Sequence, residues 1–158
     1  MKKWIALLIC VMMMVPGVAA FAEVAELEPI TIEVNFDGSD VAFEDGFSVK
    51  VPDAWMEFET EDGVTYGTED ESAGMVILFR EGEVTIESMA ENIIAEYGAA
   101  NYVVINGIEW VTFTDTEYDV LVAAAAASDG FYQFTFYPAS DEAMTNLATQ
   151  IMATVKNG

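Results

Sequence analysis

The sequence contains no histidine, and its single cysteine, Cys10, falls close to its start. Without histidine there is no imidazole general base, no histidine-ligated zinc or haem, and no Ser-His-Asp triad. Without a second cysteine there is no disulfide within the chain. Once the leader described below is removed there is no cysteine nucleophile either. Positive charge is the next shortage. Five Lys and Arg stand against 28 Asp and Glu, a net charge of −23. A surface this acidic repels nucleic acid and anionic membranes, so neither is expected as a partner. Cationic or neutral partners, or divalent cations, remain. Few bases are left to hold a phosphate or carboxylate substrate.

The first 22 residues have the layout of a secretory signal peptide. Met1-Lys2-Lys3 is a short basic start, an apolar run follows from Trp4 to Val15, and Pro16-Gly17 breaks it before a stretch of small residues. Cleavage is expected after Ala22, with Ala20 as the second choice. The run is short for a membrane span, which takes about 20 apolar residues. No lasting membrane anchor is therefore expected, and the location is secreted or extracytoplasmic. Cys10 does not fit a lipid-anchoring site, because Ile9 precedes it and the apolar run continues beyond it. Cleavage after Ala22 leaves three bases (Lys50, Arg80, Lys156) against the 28 acids, a net charge of −25.

The remaining chain is long enough for one domain with its own core. Residues 23–42 read as a lead-in, in which "ITIEVNF" is expected to add an edge strand. Residues 43–158 read as a single α+β domain. Turn signals recur at Asp45-Gly46, Pro52-Asp53, Asp62-Gly63, Asn106-Gly107 and Asp129-Gly130, the Asn-Gly and Asp-Gly pairs supplying the positive φ of tight hairpins. Strand-like runs lie between them. In "FSVKV", Phe47, Val49 and Val51 share a face. "WMEFET" and "VTYGT" form one expected hairpin, "NYVVI" and "IEWVTFTDTE" a second, and "DVLVAAAAAS" and "FYQFTFYP" a third. "GMVILFRE" reads as a buried strand.

Two stretches carry helical periodicity. Residues 85–98 place Ile86, Met89, Ala90, Ile93 and Tyr97 on one side, with Ser88-x-x-Glu91 as the expected capping box and Gly98 as the stop. Residues 140–156 place Met144, Leu147, Ala148, Ile151, Met152 and Val155 in one stripe. Ser140 or Asp141 is expected to cap this second helix, and Lys156 to sit at the negative end of its dipole. The alanine run 123–127 suits a central strand covered on both faces, where bulk is excluded. The order strands, helix, two hairpins, helix gives an antiparallel sheet with helices on its faces.

The stretch Val51-Pro52-Asp53-Ala54-Trp55 resembles the entry of PsbP-like domains, a superfamily that includes the Mog proteins and small exported bacterial proteins. "INGIEWVTF", "DGFYQFTFYP" and the closing helix continue the resemblance over residues 42–156. It implies an α/β/α sandwich around an antiparallel sheet, and a non-enzymatic binding or assembly factor. No functional residue of the family finds a match here, so none is assigned through the resemblance. A Pro-rich or basic tail that would suggest a photosystem role is absent.

Several residues are candidates for function. Trp55 and Trp110 are large enough to act as platforms for a sugar or peptide, but packing is the expected role of both. Phe131, Tyr132, Phe134, Phe136 and Tyr137 make an aromatic strand with rings on both faces, either buried centrally or lining a ligand groove. Asp115, Glu117 and Asp119 are the candidate metal ligands, because calcium collects oxygens from such loops. "TEDES" and "FDGSD" are similar clusters, and none of the three matches a calcium-loop pattern. No catalytic and no cofactor-binding residue is assigned. The expected function is a non-catalytic, exported domain that binds a protein or cell-wall component, marked by an exposed apolar patch ringed by acids. A calcium-dependent module is the alternative. A carboxylate-pair hydrolase, the enzyme class that this inventory permits, is a third reading.

Overall fold

The computed structural model describes residues 25–26, 29–61, 63–82 and 85–157. The expected signal peptide, its cleavage sites, Cys10 and Asp62 of the Asp62-Gly63 turn lie outside these residues. Among the described residues, ten strands and two helices follow in order: β1 (Ala25–Glu26), β2 (Gly38–Ala42), β3 (Ser48–Pro52), β4 (Met56–Thr60), β5 (Gly63–Gly67), β6 (Gly74–Glu81), α1 (Ile86–Tyr97), β7 (Asn101–Ile105), β8 (Ile108–Asp115), β9 (Val120–Ala126), β10 (Gly130–Tyr137) and α2 (Glu142–Ala153).

Eight strands form one sheet in the order β1-β7-β8-β9-β10-β6-β5-β4, and β2 and β3 form a separate hairpin. All pairings are antiparallel except that of β1 with β7. The three hairpins β4–β5, β7–β8 and β9–β10 form where the turn signals place them. The edge strand differs from expectation. Within "ITIEVNF" only Ile30 bridges to the sheet, at Ile105. The paired edge is Ala25–Glu26 instead, against Asn101 and Tyr102. Side chains hold the rest of the run in place: Asn106 accepts from the Ile32 N–H through Oδ1 (2.8 Å) and donates to the Ile32 carbonyl through Nδ2 (3.0 Å).

The turn glycines play two distinct parts. Asn106 and Gly107 both adopt positive φ, 49° and 85°, as a tight hairpin turn requires. Gly63 and Gly130 do not. A Cβ there would lie 2.3 Å from the Ile77 carbonyl oxygen and 2.1 Å from that of Arg80, so close backbone approach excludes a side chain.

Each face of the sheet carries one helix. On α1, Met89, Ala90 and Ile93 are buried against Val111, Val122, Ala124 and Phe131. Thr85, rather than Ser88, is the N-cap: its hydroxyl accepts from the Ser88 N–H, and Ser88 Oγ accepts from the Thr85 N–H in return. Gly98 ends the helix in the left-handed region, φ 86°. On the opposite face, α2 buries Met144, Ala148, Ile151 and Met152 together with Phe47, just before β3, and the β3 residues Val49 and Val51. Asp141 is its N-cap. Lys156 lies beyond the helix end, where its backbone bridges to Ser48 and its ammonium lies 3.8 Å from Asp40, so it does not serve the helix dipole. The layers are α1, sheet, and α2 with β2–β3, an α+β sandwich.

Strand β9 lies between β8 and β10, and Ala123, Ala124 and Ala125 are fully buried. Ala124 faces α1, while Ala123 and Ala125 face α2. The register adds a lateral reason for small residues: Ala125 pairs with Trp110 on one side and Tyr132 on the other, and Ala123 pairs with Phe134. The alanines leave room for the Trp110–Phe134 edge contact, with ring centroids 5.5 Å apart.

Candidate functional site

Strand β6 carries Met75, Ile77 and Phe79 on the face that looks toward α2 and β2–β3, since strand side chains alternate. Met75 and Ile77 are covered, but Phe79 remains 40% exposed. Beside it on β10 lies Tyr132, their rings 5.0 Å apart. The β2–β3 hairpin brings Phe43 and Phe47 onto the same tyrosine, at 4.8 and 4.2 Å. Between this hairpin and the main sheet lies a groove of about 780 Å³, floored by Phe43, Val64, Ile77, Phe79 and Tyr132 and rimmed by Glu44, Asp45, Glu81 and Asp129. Among the described residues no basic side chain lines it.

Asp45 ties the two sheets together. Its Oδ1 accepts from the Phe47 N–H (3.1 Å) and the Tyr132 hydroxyl (3.1 Å), while its buried Oδ2 has no donor among the described residues. Burial, then the hydrogen bond to Asp45 and the charges of Asp45 and Glu44, hold the Tyr132 phenol well above its ordinary pKa. The hydroxyl therefore stays a donor across the physiological range.

The sequence-derived candidates lie elsewhere. Trp110 is fully buried and Trp55 packs against the core on the α2 side, so both serve packing. The structure does not gather Asp115, Glu117 and Asp119 around one point. Asp115 Oδ1 accepts from the N–H groups of Glu117 and Tyr118 and so closes the β8–β9 turn. Asp119, at φ 56°, turns away to Ser140, accepting from its N–H (2.6 Å) and hydroxyl (2.8 Å). In "TEDES", Asp70 accepts from the Thr68 and Ser72 hydroxyls, which holds its pKa down at about 2. In "FDGSD", Asp40 faces Lys156. Among the described residues no group of three or more acidic side chains converges in a way that could hold a metal ion.

Of the groove residues, sequence reading flagged Tyr132 through the aromatic strand. It expected an apolar patch ringed by acids but named neither Phe43 nor Phe79 nor the rim acids as its members. One signal was present: the period-two run Met75, Ile77, Phe79 carries a large ring on past the covered part of the strand, toward Arg80 and Glu81.

No protein-family model matches this chain, and no curated protein matches it. Its architecture is similar to that of a solved structure, the solution structure of cyanobacterial PsbP (CyanoP) from Synechocystis sp. PCC 6803. The TM-score is 0.54 at 10% identity, covering 79% of this chain and 95% of that one. The fold is therefore PsbP-like, as the Val-Pro-x-x-Trp resemblance implied. Among the described residues no helix is long and apolar enough to cross a membrane.

Proposed function

We propose that this chain is a non-catalytic binding or assembly domain that acts outside the cytoplasm and holds a cationic segment of a partner protein in the Phe43–Phe79–Tyr132 groove. The observation that carries this reading is an apolar, aromatic floor with four carboxylates at its rim and, among the described residues, no base. Aromatic faces attract ammonium and guanidinium groups by about 0.5–2 kcal/mol each. The rim acids and the net charge of −23 steer such a group to the groove. The leader-like start of the chain supports an extracytoplasmic location. The lack of histidine supports a binding role over a catalytic one.

The test is fluorescence anisotropy with a labelled peptide rich in Lys and Arg, at several salt concentrations. Phe79→Ala is expected to weaken binding about tenfold. Asp129→Lys is expected to slow association and flatten its salt dependence. If both variants stay folded and bind like the parent chain, the groove is not the site.

A further inference from the structure

At one end of the sheet, β4 has, among the described residues, a partner on one side only, β5. Its register assigns each of its side chains to a face. Glu57 pairs with Tyr66, which pairs with Met75; Glu59 pairs with Val64, which pairs with Ile77. Tyr66, Met75 and Ile77 all belong to the α2-side core, so Glu57 and Glu59 stand on that face, and Val64 beside Glu59 already lines the groove. Phe58 pairs with Thr65, which pairs with Val76, so Met56, Phe58 and Val76 share the opposite face. That side is poorly covered: Met56 is 49% exposed, and Phe58 and Val76 are half-buried. Helix α1 lies across β8 and β9 and leaves this end of the sheet open. One free edge thus presents carboxylates on one face and apolar groups on the other, in strict alternation.

We infer that β4 accepts an extended segment of a partner as a ninth strand, and that this segment alternates basic and apolar residues. In a paired sheet, directly opposite side chains lie about 4.5–5.5 Å apart on the same face. Residues i and i+2 of the incoming strand therefore meet Glu57 and Glu59, and i+1 and i+3 extend the Met56–Phe58–Val76 surface. The Glu57 carboxylate is already oriented on its face by the Tyr66 hydroxyl, which donates to Oε2 at 2.9 Å. A second copy of this chain is the wrong occupant. Antiparallel self-pairing of β4 sets Glu57 and Glu59 against their own kind, and like charges directly opposite are destabilising. The inference rests on the free edge of β4, which adjoins the groove at Val64, and shares with that reading the positive charge of the partner.

The experiment compares two labelled peptides of equal composition, Lys-Val-Lys-Val-Lys-Val and Lys-Lys-Lys-Val-Val-Val, with hydrogen exchange read residue by residue. The alternating peptide is expected to bind about tenfold more tightly and to slow exchange along Met56–Thr60. Glu59→Lys, an exposed change, is expected to remove that preference. Equal affinity for the two basic peptides overturns the inference. Protection confined to Phe43, Phe79 and Tyr132 overturns it too but keeps the groove reading, whereas no binding of either peptide sinks both. Self-association of the parent chain through β4 makes a second copy the occupant and overturns the inference as well.

Discussion

Gly130→Ala is the substitution whose cost the structure specifies most directly. Gly130 opens β10 opposite Glu81, and its carbonyl accepts from the Ala127 N–H to close the β9–β10 turn. A Cβ there would lie 2.1 Å from the Arg80 carbonyl oxygen, 3.0 Å from the Arg80 carbonyl carbon and 2.8 Å from Phe79 Cζ. Two of those atoms are backbone, so no rotamer change relieves the clash. The strands must separate by roughly 1 Å near Gly130–Glu81 and Phe131–Arg80, which strains the packing and stretches ladder bonds. Overpacking costs about 1–3 kcal/mol and each weakened hydrogen bond about 0.5–1.5 kcal/mol. The expected loss is about 2–4 kcal/mol, or roughly 6–15 °C in melting temperature. The control is Gly107→Ala, where φ is 85° and nothing lies within 4 Å. It is charged only the left-handed penalty, about 1–2 kcal/mol. Urea and thermal unfolding of both variants give the comparison. Because Phe79 is displaced as well, Gly130→Ala is also expected to weaken peptide binding in the groove. If Gly130→Ala costs no more than Gly107→Ala, the account of the β6–β10 contact is wrong.

Four further outcomes are expected. Trp110 Nε1 has no acceptor among the described residues, so Trp110→Phe is expected to lose no hydrogen bond and to cost clearly less than Trp110→Ala, for which about 3–5 kcal/mol is expected in denaturant titrations. Burial, followed by contacts with Glu57 and Glu96 respectively, pushes the Tyr66 and Tyr97 phenols from near 10 up to about 12. A raised folded pKa contributes stability that is fully present below pH 10 and lost as pH rises toward 12, so stability is expected to fall across that window, and less steeply in Tyr66→Phe. Asp141→Ala removes the α2 N-cap and is expected to cost about 1 kcal/mol in the same assay. Because Asp115, Glu117 and Asp119 do not converge, thermal melts in calcium, magnesium and sodium chloride at matched ionic strength are expected to rise together by charge screening. A rise with calcium alone would restore the calcium-dependent module and make those three residues the ones to mutate.

Much of this fold is legible without coordinates, because its signals are local. Alternation at Phe47, Val49 and Val51, the Asn106-Gly107 turn, and the helical stripe through Met144, Ala148 and Ile151 each depend on residues within one or two turns of chain. The misreadings were also local in origin. Thr85 and Ser88 are both competent caps, and the choice fell to Thr85 when Ile86 entered the helix. The "ITIEVNF" run has strand periodicity, but Asn106 pins it through its side chain instead of a ladder. Lys156 carries the charge a helix end favours, but its backbone is held at Ser48 by two hydrogen bonds of 3.0 Å.

The candidate sites divide along the same line. By itself the sequence determined which chemistries are absent, most of the strands and both described helices, and that the chain carries a large excess of negative charge, since composition and periodicity need no partner. Beyond the three hairpins, lateral strand order was decided by the tertiary structure alone. It set β6 beside β10 rather than β7, left β4 at the edge, and brought Asp45 to Tyr132 across 87 positions of sequence. Phe134 and Phe79 are the same residue type on the same face of one sheet. Phe134 is fully buried and Phe79 is open because α2 and β3 cover one end of that face and stop short of the other. Burial of that kind is a property of the whole packed layer, and no window of neighbouring residues contains it.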